Sequence, residues 1–233
     1  MTNATRLHIL RVFCAPDRSG GNELGVFLDG GDVSNAERQR VAKDLGFAET
    51  VFFDDIKRAE LRIFTPTVEL PLAGHPLVGS AWLLREQGTA PPVLRPPAGE
   101  VGVRFDGELA SITGRPEWAP PFDFVELASA AEVEALPGRP VEYGNVGVWA
   151  WLDESAGLIR ERVFAPEEGI EEDEATGAAA MRLVARLGRQ IEIRQGRGSI
   201  IHARPLEDGL VEIGGLTVLD DVQKYSLDDA LRG

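Results

Sequence analysis

A short segment that returns one hundred residues later is the feature that most constrains how this chain folds. Residues 62–66 have the sequence RIFTP, and residues 162–166 have the sequence RVFAP. In each copy a β-prone run ends at the proline. A short segment that contains a polar residue and a glycine, called a step below, then precedes an apolar helical segment. The two steps are residues 73–76 (AGHP) and residues 174–177 (EATG). The repeat predicts two similar α+β domains with a cleft between them, where paired domains commonly bind small ligands.

Each step marks the start of a helix, and together the two starts predict an anion site. The segment from Pro76 to Leu84 is apolar on nearly all sides, which predicts a helix enclosed by a sheet, and the second helix is expected from Thr176 to Leu187. The first N–H groups of a helix have no partner within it and lie at the positive end of its dipole. Two such starts that face one another are expected to clamp an anion.

The sequence also predicts a domain boundary and two helix caps. The lobes are expected at 1–114 and 115–233, because residues 114–121 (GRPEWAPP) read as a linker. The polar C-terminal residues are expected either to cap the surface or to pack on the first lobe. Ser34 and Ser129 each precede a glutamate by three residues, which predicts capping boxes, and the arginines of the first of these helices are expected to be solvated.

Charge and composition exclude several classes of partner. A formal charge of −14 over 233 residues, with no basic stripe, repels nucleic-acid backbones and anionic lipid surfaces. The chain has no run of about 20 apolar residues, and its first residues lack the zones of a signal peptide. We therefore expect a cytoplasmic location, with neither nucleic-acid nor membrane partners.

Cysteine and histidine usage argues against thiol and metal chemistry. Cys14 is the only cysteine, so an internal disulfide and a thiol pair are excluded. The three histidines, His8, His75 and His202, show no ligand spacing, so no metal site is predicted. Any chemistry is expected to use carboxylates, histidine and backbone donors.

Glu49 and His75 are the first candidates for proton transfer. Glu49 lies between apolar residues, so desolvation is expected to raise the pKa of its carboxyl toward neutrality, as suits a proton carrier. The alternative is a strand-edge glutamate in water. His75 is placed at a helix start, where the dipole favours a neutral imidazole that relays a proton. The alternative for His75 is a cap or packing residue.

Asp173 and Asn22 complete the candidates. Asp173 ends an acidic loop at the second helix start, where acids also stabilise a helix without any other function. Asn22 and Asn145 lie in similar glycine turns, in which asparagine often only tolerates a left-handed backbone.

Taken together, these residues resemble the phenazine-biosynthesis PhzF-like family, whose fold is that of diaminopimelate epimerase. The resemblance spans nearly the whole chain. Its motifs are Phe13, residues 21–22 (GN) and Val26, then residues 48–52 (AETVF), 61–66 (LRIFTP), 68–69 (VE) and 74–76 (GHP), and in the second half residues 162–166 (RVFAP), 169–173 (GIEED), 175–177 (ATG) and 214–215 (GG).

The resemblance implies an α+β fold of two pseudo-symmetric lobes, each a curved mixed sheet or barrel around a central helix. It also implies a homodimer without metal or organic cofactor. In the phenazine-pathway members, which isomerise a dihydro-hydroxyanthranilate, the glutamate that matches Glu49 moves a proton along an allylic system. The family's histidine and aspartate correspond to His75 and Asp173, so these three are the predicted catalytic residues.

The resemblance also places a small carboxylated substrate at the two helix starts. The predicted substrate-binding residues are Asn22, Gly74, Pro76, Ala175, Thr176, Gly177 and Ala178.

Four positions distinguish this chain from its relatives in the fold. Ala178 stands where the family often has a serine, and Leu77 stands where a threonine or similar residue is expected. Ala73 and Glu174 stand where diaminopimelate epimerases have two cysteines, which disfavours two-thiol racemisation. The chain is also short for the family, with the trimming around residues 100–160.

The sequence therefore predicts a cofactor-independent isomerase or epimerase of a small carboxylated metabolite, with one-base proton transfer by Glu49. Two alternatives stay open. One is an amino-acid racemase-like activity with unequal bases. The other is a catalytically silent small-molecule binding protein, if Ala178 and Leu77 close the pocket.

Overall fold

Across residues 4–226, the part of the chain that the computed structural model describes, the fold has fifteen strands and four helices. The strands are β1 (Ala4–Cys14), β2 (Asn22–Phe27), β3 (Glu49–Asp55), β4 (Glu60–Phe64), β5 (Glu69–Leu70), β6 (Val93–Leu94), β7 (Val101–Asp106), β8 (Leu109–Gly114), β9 (Asp123–Glu126), β10 (Val146–Asp153), β11 (Leu158–Ala165), β12 (Ile170–Asp173), β13 (Ile191–Gln195), β14 (Ser199–Pro205) and β15 (Val211–Ser226). The helices are α1 (Asn35–Leu45), α2 (Gly74–Glu86), α3 (Ala130–Glu134) and α4 (Gly177–Leu187).

The strands form one mixed sheet that passes from the first half of the chain to the second. Its order is β5-β4-β3-β2-β1-β15-β14-β13-β11-β10-β9, and β8 joins it by pairing with β15. The pairs β2/β3, β9/β10 and β11/β13 are parallel, and the neighbours β3/β4 and β10/β11 are antiparallel. The predicted α+β class is confirmed.

The register of the strands shows the repeat directly. Thr50 of β3 lies opposite Phe64, and Val146 of β10 lies opposite Phe164. Asn145 therefore occupies in the second half the position that Glu49 occupies in the first. The similar glycine turns had suggested Asn22 as the counterpart of Asn145, but turn composition does not fix register, whereas the strand pairing does.

Helices α2 and α4 are the two central helices. In α2 every residue from Gly74 to Ala81 is buried, as are Leu83 and Leu84, which confirms the enclosed helix expected from its lack of a polar face. It packs against β1, β8 and β15, and α4 packs against β14 and β15. The start of each central helix is thereby fixed by the sheet around it.

Helix α1 begins and ends where the sequence predicts, but one of its arginines is buried. Ser34 and Glu37 form the capping box, and Gly46 ends the helix in a left-handed conformation. Arg38 is only 3% exposed, which corrects the expectation that the arginines are solvated. Its guanidinium donates to the Gly30 carbonyl at 2.8 Å and to Asp54 at 2.5 Å, so the buried charge is paired.

Strand β15 ties the two halves together. Residues 211–215 pair with β8, and residues 216–226 pair with β1. Near its end the Tyr225 hydroxyl donates to Asp44 at 2.9 Å, and its ring packs against Phe27 with centroids 5.4 Å apart. This part of the C-terminal tail packs on first-half strands, and residues 227–233 lie outside the described residues.

The boundary at residue 114 stays a prediction. The segment after it contains a 3₁₀ turn at Pro116–Trp118 and packs on α4, where the Arg182 guanidinium donates to the Ala119 carbonyl at 2.5 Å. Within residues 4–226, no helix has the length and apolar character needed to cross a membrane.

Candidate active site

The two central helices begin in contact with each other. A Cβ added to Gly74 would lie 2.6 Å from the Cα of Gly177, and one added to Gly177 would lie 2.8 Å from the Cα of Gly74. Only glycine permits this approach at both positions. The N-cap residues Ala73 and Thr176 make no side-chain capping bond, so the first N–H groups of both helices remain available to a ligand.

A small cavity lies beside this contact. About 30 Å³ of it is open to the centre of a water molecule, which is room for about two ordered waters. It is lined by Glu49, Leu70, Leu72, Ala73, Gly74, His75, Pro120, Phe122, Ala165, Glu168, Asp173, Thr176, Gly177 and Ala178. Two wider clefts of about 480 Å³ and 520 Å³ open nearby, but of the three predicted catalytic residues they reach only Asp173.

Glu49 is the first residue of β3, and its carboxyl is desolvated. The side chain is 9% exposed, and Oε2 has no hydrogen-bond partner among the described residues. Burial raises the pKa of Glu49 well above its usual value, and the neighbouring carboxyls of Asp173 and Glu168 raise that pKa further. The alternative of a strand-edge glutamate in water is therefore excluded.

His75 is the second residue of α2 and contacts Glu49. Its Nε2 lies 3.3 Å from Oε2 of Glu49, and its ring hydrogen-bonds the backbone of Glu23. Burial lowers the pKa of His75 to about 3. Because burial opposes charge on both side chains, the proton stays on Glu49, and the two groups form a neutral pair rather than an ion pair.

Asp173 ends β12 and is held by two side-chain donors. Asn22 donates to it at 2.6 Å, and the Thr176 hydroxyl donates at 2.7 Å. Burial raises the pKa of Asp173 to about 6, although these two hydrogen bonds oppose the rise. Asn22 also donates to the Ala175 carbonyl at 3.1 Å. Asn22 therefore fixes the second helix start, and it lies beside the cavity without lining it.

Two residues of the site were missed by sequence reasoning. Gln195 is 1% exposed; its amide donates to the Asp173 carbonyl and to Thr176 Oγ1, each at 2.9 Å, and it accepts from the Thr176 N–H at 3.0 Å. Glu168 lines the cavity and is half-buried. The sequence around Gln195 carries no signal of this role, because only strand pairing brings the residue to Asp173 and Thr176. Glu168 was seen only as one acid of a charged run.

The cavity brings together Glu49, His75 and Asp173, and their predicted catalytic role stays a prediction. The predicted binding residues Gly74, Thr176, Gly177 and Ala178 also line it, whereas Pro76 and Ala175 are buried outside the lining. Leu77 is fully buried and does not line the cavity either, so it does not close the pocket. The described residues include no group of three or more side chains placed to hold a metal ion.

Comparison with known proteins gives the family. A model of the phenazine biosynthesis-like proteins (PhzC-PhzF) matches residues 12–132, just over half of the chain. Trans-2,3-dihydro-3-hydroxyanthranilate isomerase of Pseudomonas chlororaphis is 30% identical over an alignment of 235 positions, which covers 79% of this chain and 84% of that protein.

Solved structures share the fold. A putative phenazine biosynthesis PhzC/PhzF protein from Clostridium difficile matches with a TM-score of 0.77 and 22% identity, covering 95% of this chain and 99% of that one. A hydroxyproline epimerase from Agrobacterium vitis matches with a TM-score of 0.65 and 12% identity, covering 99% and 95%. These likenesses confirm the predicted epimerase-like architecture. From the family match and the sequence relative together, the chain belongs to the phenazine biosynthesis-like PhzC-PhzF family and is an isomerase of the PhzF type.

Proposed function

We propose that this isomerase moves a proton between two carbons of a small carboxylated metabolite, without a cofactor, and that Glu49 is the single acid/base. The observation that carries the proposal is the Glu49 carboxyl, which is buried beside two helix starts with Oε2 free of hydrogen bonds in the described structure. A carboxyl with a raised pKa is a stronger base once ionised, and it holds the proton between the two steps.

The other residues of the cavity have separate roles in this scheme. The N–H groups at the starts of α2 and α4 bind the substrate carboxylate, because both helix dipoles favour an anion there. His75 stays neutral, and its Nε2 lies 3.3 Å from Oε2 of Glu49, which keeps the proton in the resting state. Asp173 positions Asn22 and Thr176. General acid–base catalysis of this kind contributes about 10²–10⁴ in rate, and orientation of the substrate must supply the rest.

A ring-bearing substrate is larger than the space described here, so the cavity must widen when such a substrate enters. The walls best able to yield are Pro120 and Phe122, which are half-buried on the segment before β9. Among the probes we would use is trans-2,3-dihydro-3-hydroxyanthranilate, on which the Pseudomonas chlororaphis relative is named as acting.

Solvent deuterium exchange tests the proposal. Wild-type protein in D₂O is expected to exchange a C–H of the trans-2,3-dihydro-3-hydroxyanthranilate probe, as followed by NMR. Glu49→Gln is expected to slow this exchange at least about 100-fold while binding persists, because the amide cannot take a proton. Glu171→Gln, at an exposed glutamate of β12, is the matched control and should exchange at the wild-type rate. Exchange that survives Glu49→Gln would remove this residue from the chemistry.

The same experiment separates the two alternatives. A racemase-like enzyme with unequal bases, Glu49 and Asp173, would lose exchange in Asp173→Asn as completely as in Glu49→Gln. We favour one base, because the Asp173 carboxylate already accepts two side-chain hydrogen bonds. A silent binding protein would bind the probe without any exchange. The small cavity and the apolar Ala178 are the observations that favour a silent binding protein.

The predicted homodimer and cytoplasmic location remain part of this proposal. Sedimentation at equilibrium of the purified chain tests the homodimer.

A further inference from the structure

Glu174 lies between Asp173 and Ala175, directly before the second helix start, but it does not line the cavity that Glu49 lines. It lines the two wider clefts of about 480 Å³ and 520 Å³ instead. Its carboxyl is therefore not placed to exchange a proton with a substrate bound between the two helix starts. The proposed scheme of proton transfer gives Glu174 no role.

The turn between β13 and β14 holds the Glu174 carboxylate. Its Oε1 accepts hydrogen bonds from the Arg197 N–H at 2.8 Å and from the Ser199 hydroxyl at 2.9 Å. Gly196 has a φ of 55°, and a Cβ added there would overlap the Glu174 carboxylate. The carboxylate thus occupies the space that a side chain at position 196 would fill, and two donors on one oxygen fix it there.

Ser199 extends this contact to the first half of the protein. The residue is fully buried, and its Oγ accepts a hydrogen bond from the Gly21 N–H at 2.9 Å while its own hydrogen goes to Glu174. A Cβ added to Gly20 would lie 2.7 Å from the carbonyl carbon of Gly198, so the two backbones touch beside this hydrogen bond. The hydroxyl is both donor and acceptor, and removing it leaves the Gly21 N–H unpaired.

Asn22 makes a second contact between the halves, one residue after Gly21. Its amide donates to Asp173 at 2.6 Å and to the Ala175 carbonyl at 3.1 Å, on either side of Glu174 in the chain. Gly20 and Gly21 have φ values of 64° and 91°. Because glycine has the greatest conformational freedom of any residue, this loop needs a restraint from outside to hold Asn22 in place. The Ser199 hydroxyl supplies such a restraint.

We infer that Glu174 is a positioning residue, which acts through Ser199 to hold the Asn22 amide at the second helix start. This inference rests on the proposed function, since that helix start and Asp173 border the proposed substrate cavity. Glu174 contributes an oxygen that accepts two hydrogen bonds, and a glutamine at this position offers the same oxygen without the charge.

Hydrogen exchange of the Asn22 side-chain amide, followed by NMR without any substrate, tests the inference. Ser199→Ala and Glu174→Ala are expected to speed this exchange about tenfold, the size of effect that one lost buried hydrogen bond gives. Glu174→Gln should stay within about twofold of the wild type, because its amide oxygen still accepts both hydrogen bonds. Glu171→Gln is the matched control, at an exposed position three residues away.

A backbone amide of the core separates loss of this restraint from general destabilisation. The N–H of Ala81, in the middle of α2, should exchange at the wild-type rate in every variant. Glu174 is half-buried, so Glu174→Ala is expected to fold even if the fully buried Ser199 does not tolerate replacement.

Kinetics with the deuterium-exchange probe give a second readout. Ser199→Ala should lower kcat about tenfold with a smaller change in KM, because Asn22 fixes the helix start after substrate has bound. Adding Ser199→Ala to Asn22→Ala should cause no further loss, since Ser199 acts through Asn22.

The outcomes separate this inference from the proposed function. Unchanged Asn22 exchange in both alanine variants would overturn the role of Glu174, even if deuterium exchange through Glu49 were observed. An equal acceleration in Glu174→Gln and Glu174→Ala, or full additivity of the Ser199 and Asn22 variants, would overturn it as well. Faster Asn22 exchange in the alanine variants alone would support it even if the probe did not react.

Discussion

Glu161 lies in the middle of β11 with its side chain fully buried and both carboxyl oxygens unpartnered within residues 4–226. Its equivalent in the first half of the repeat is Leu61, which is an ordinary core residue. Burial raises the pKa of Glu161 to about 8. Its native carboxyl therefore binds a proton at a pH where the unfolded chain, with a glutamate pKa near 4.3, has lost it.

This difference predicts how stability depends on pH. The native state holds more protons than the unfolded state, so Glu161 lowers the free energy of unfolding by about 1.4 kcal/mol per pH unit between about pH 4.5 and pH 8. In Glu161→Leu that loss is absent, and the variant should gain stability over the wild type as pH rises through this window. Urea denaturation at several pH values measures the free energy of unfolding of the variant and of the wild type. The contributions of all other titrating groups cancel when one is subtracted from the other. If the difference in the free energy of unfolding between Glu161→Leu and the wild type did not change with pH, the predicted protonation of Glu161 would be contradicted.

At the scale of elements, the contact between the starts of α2 and α4 decides the site. The helices meet at Gly74 and Gly177 with no room for a Cβ, and Ile213 Cδ1 closes one side of the contact, 2.7 Å and 2.9 Å from the two added carbons. An added Cβ at either glycine would overlap the backbone of the other glycine, and this overlap is not relieved by moving a flexible side chain. The proposed anion site therefore depends on the absence of a Cβ at both glycines.

Gly177→Ala tests this dependence. The added methyl must separate the helix starts, so we expect the free energy of unfolding to fall by about 1–3 kcal/mol, as overpacking does. Probe exchange should fall by more than tenfold, because the N–H groups of both helices move relative to Glu49. Gly138→Ala is the matched control, since a Cβ there meets nothing within 4 Å. Wild-type stability and exchange in Gly177→Ala would show that the helix starts are not in the described contact.

For the molecule as a whole, β15 is the element that couples the halves. It pairs with β8 and β14 at its beginning and with β1 along the rest of its length. Arg11 of β1 pairs with Asp220 at 2.7 Å, and the Tyr225 hydroxyl donates to Asp44 in the last turn of α1. First-half strands thus depend on residues from the far end of the chain.

Two truncations measure this coupling. A chain that ends at Leu219 loses the partners of residues 4–9 in β1, together with the Asp220 and Tyr225 contacts. We expect its melting temperature to fall by more than about 4 °C, the shift that about 1–2 kcal/mol gives in a protein of this size. A chain that ends at Ser226 keeps every described pairing and serves as the control. Equal melting temperatures for the two truncations would show that the end of β15 adds nothing to the stability of β1.

The elements were largely predictable from the sequence, because their signals are local. The Ser34 capping box, the Gly46 stop and the all-apolar face of α2 each depend on residues within a few turns of one another. The two glycine steps likewise gave both helix starts, and the resemblance to the family gave Glu49, His75 and Asp173.

Burial and charge pairing were decided only by the tertiary structure. Arg38 and Glu161 are buried because strands distant in sequence cover them, and Gln195 reaches Asp173 only because β13 and β11 pair in parallel. Glu168 borders the cavity because its turn rests on Thr67, a hundred residues earlier. Sequence determined where helices and strands begin, since backbone caps and periodicity act over short distances. Tertiary structure determined which charges lose water, since desolvation depends on everything packed around a group.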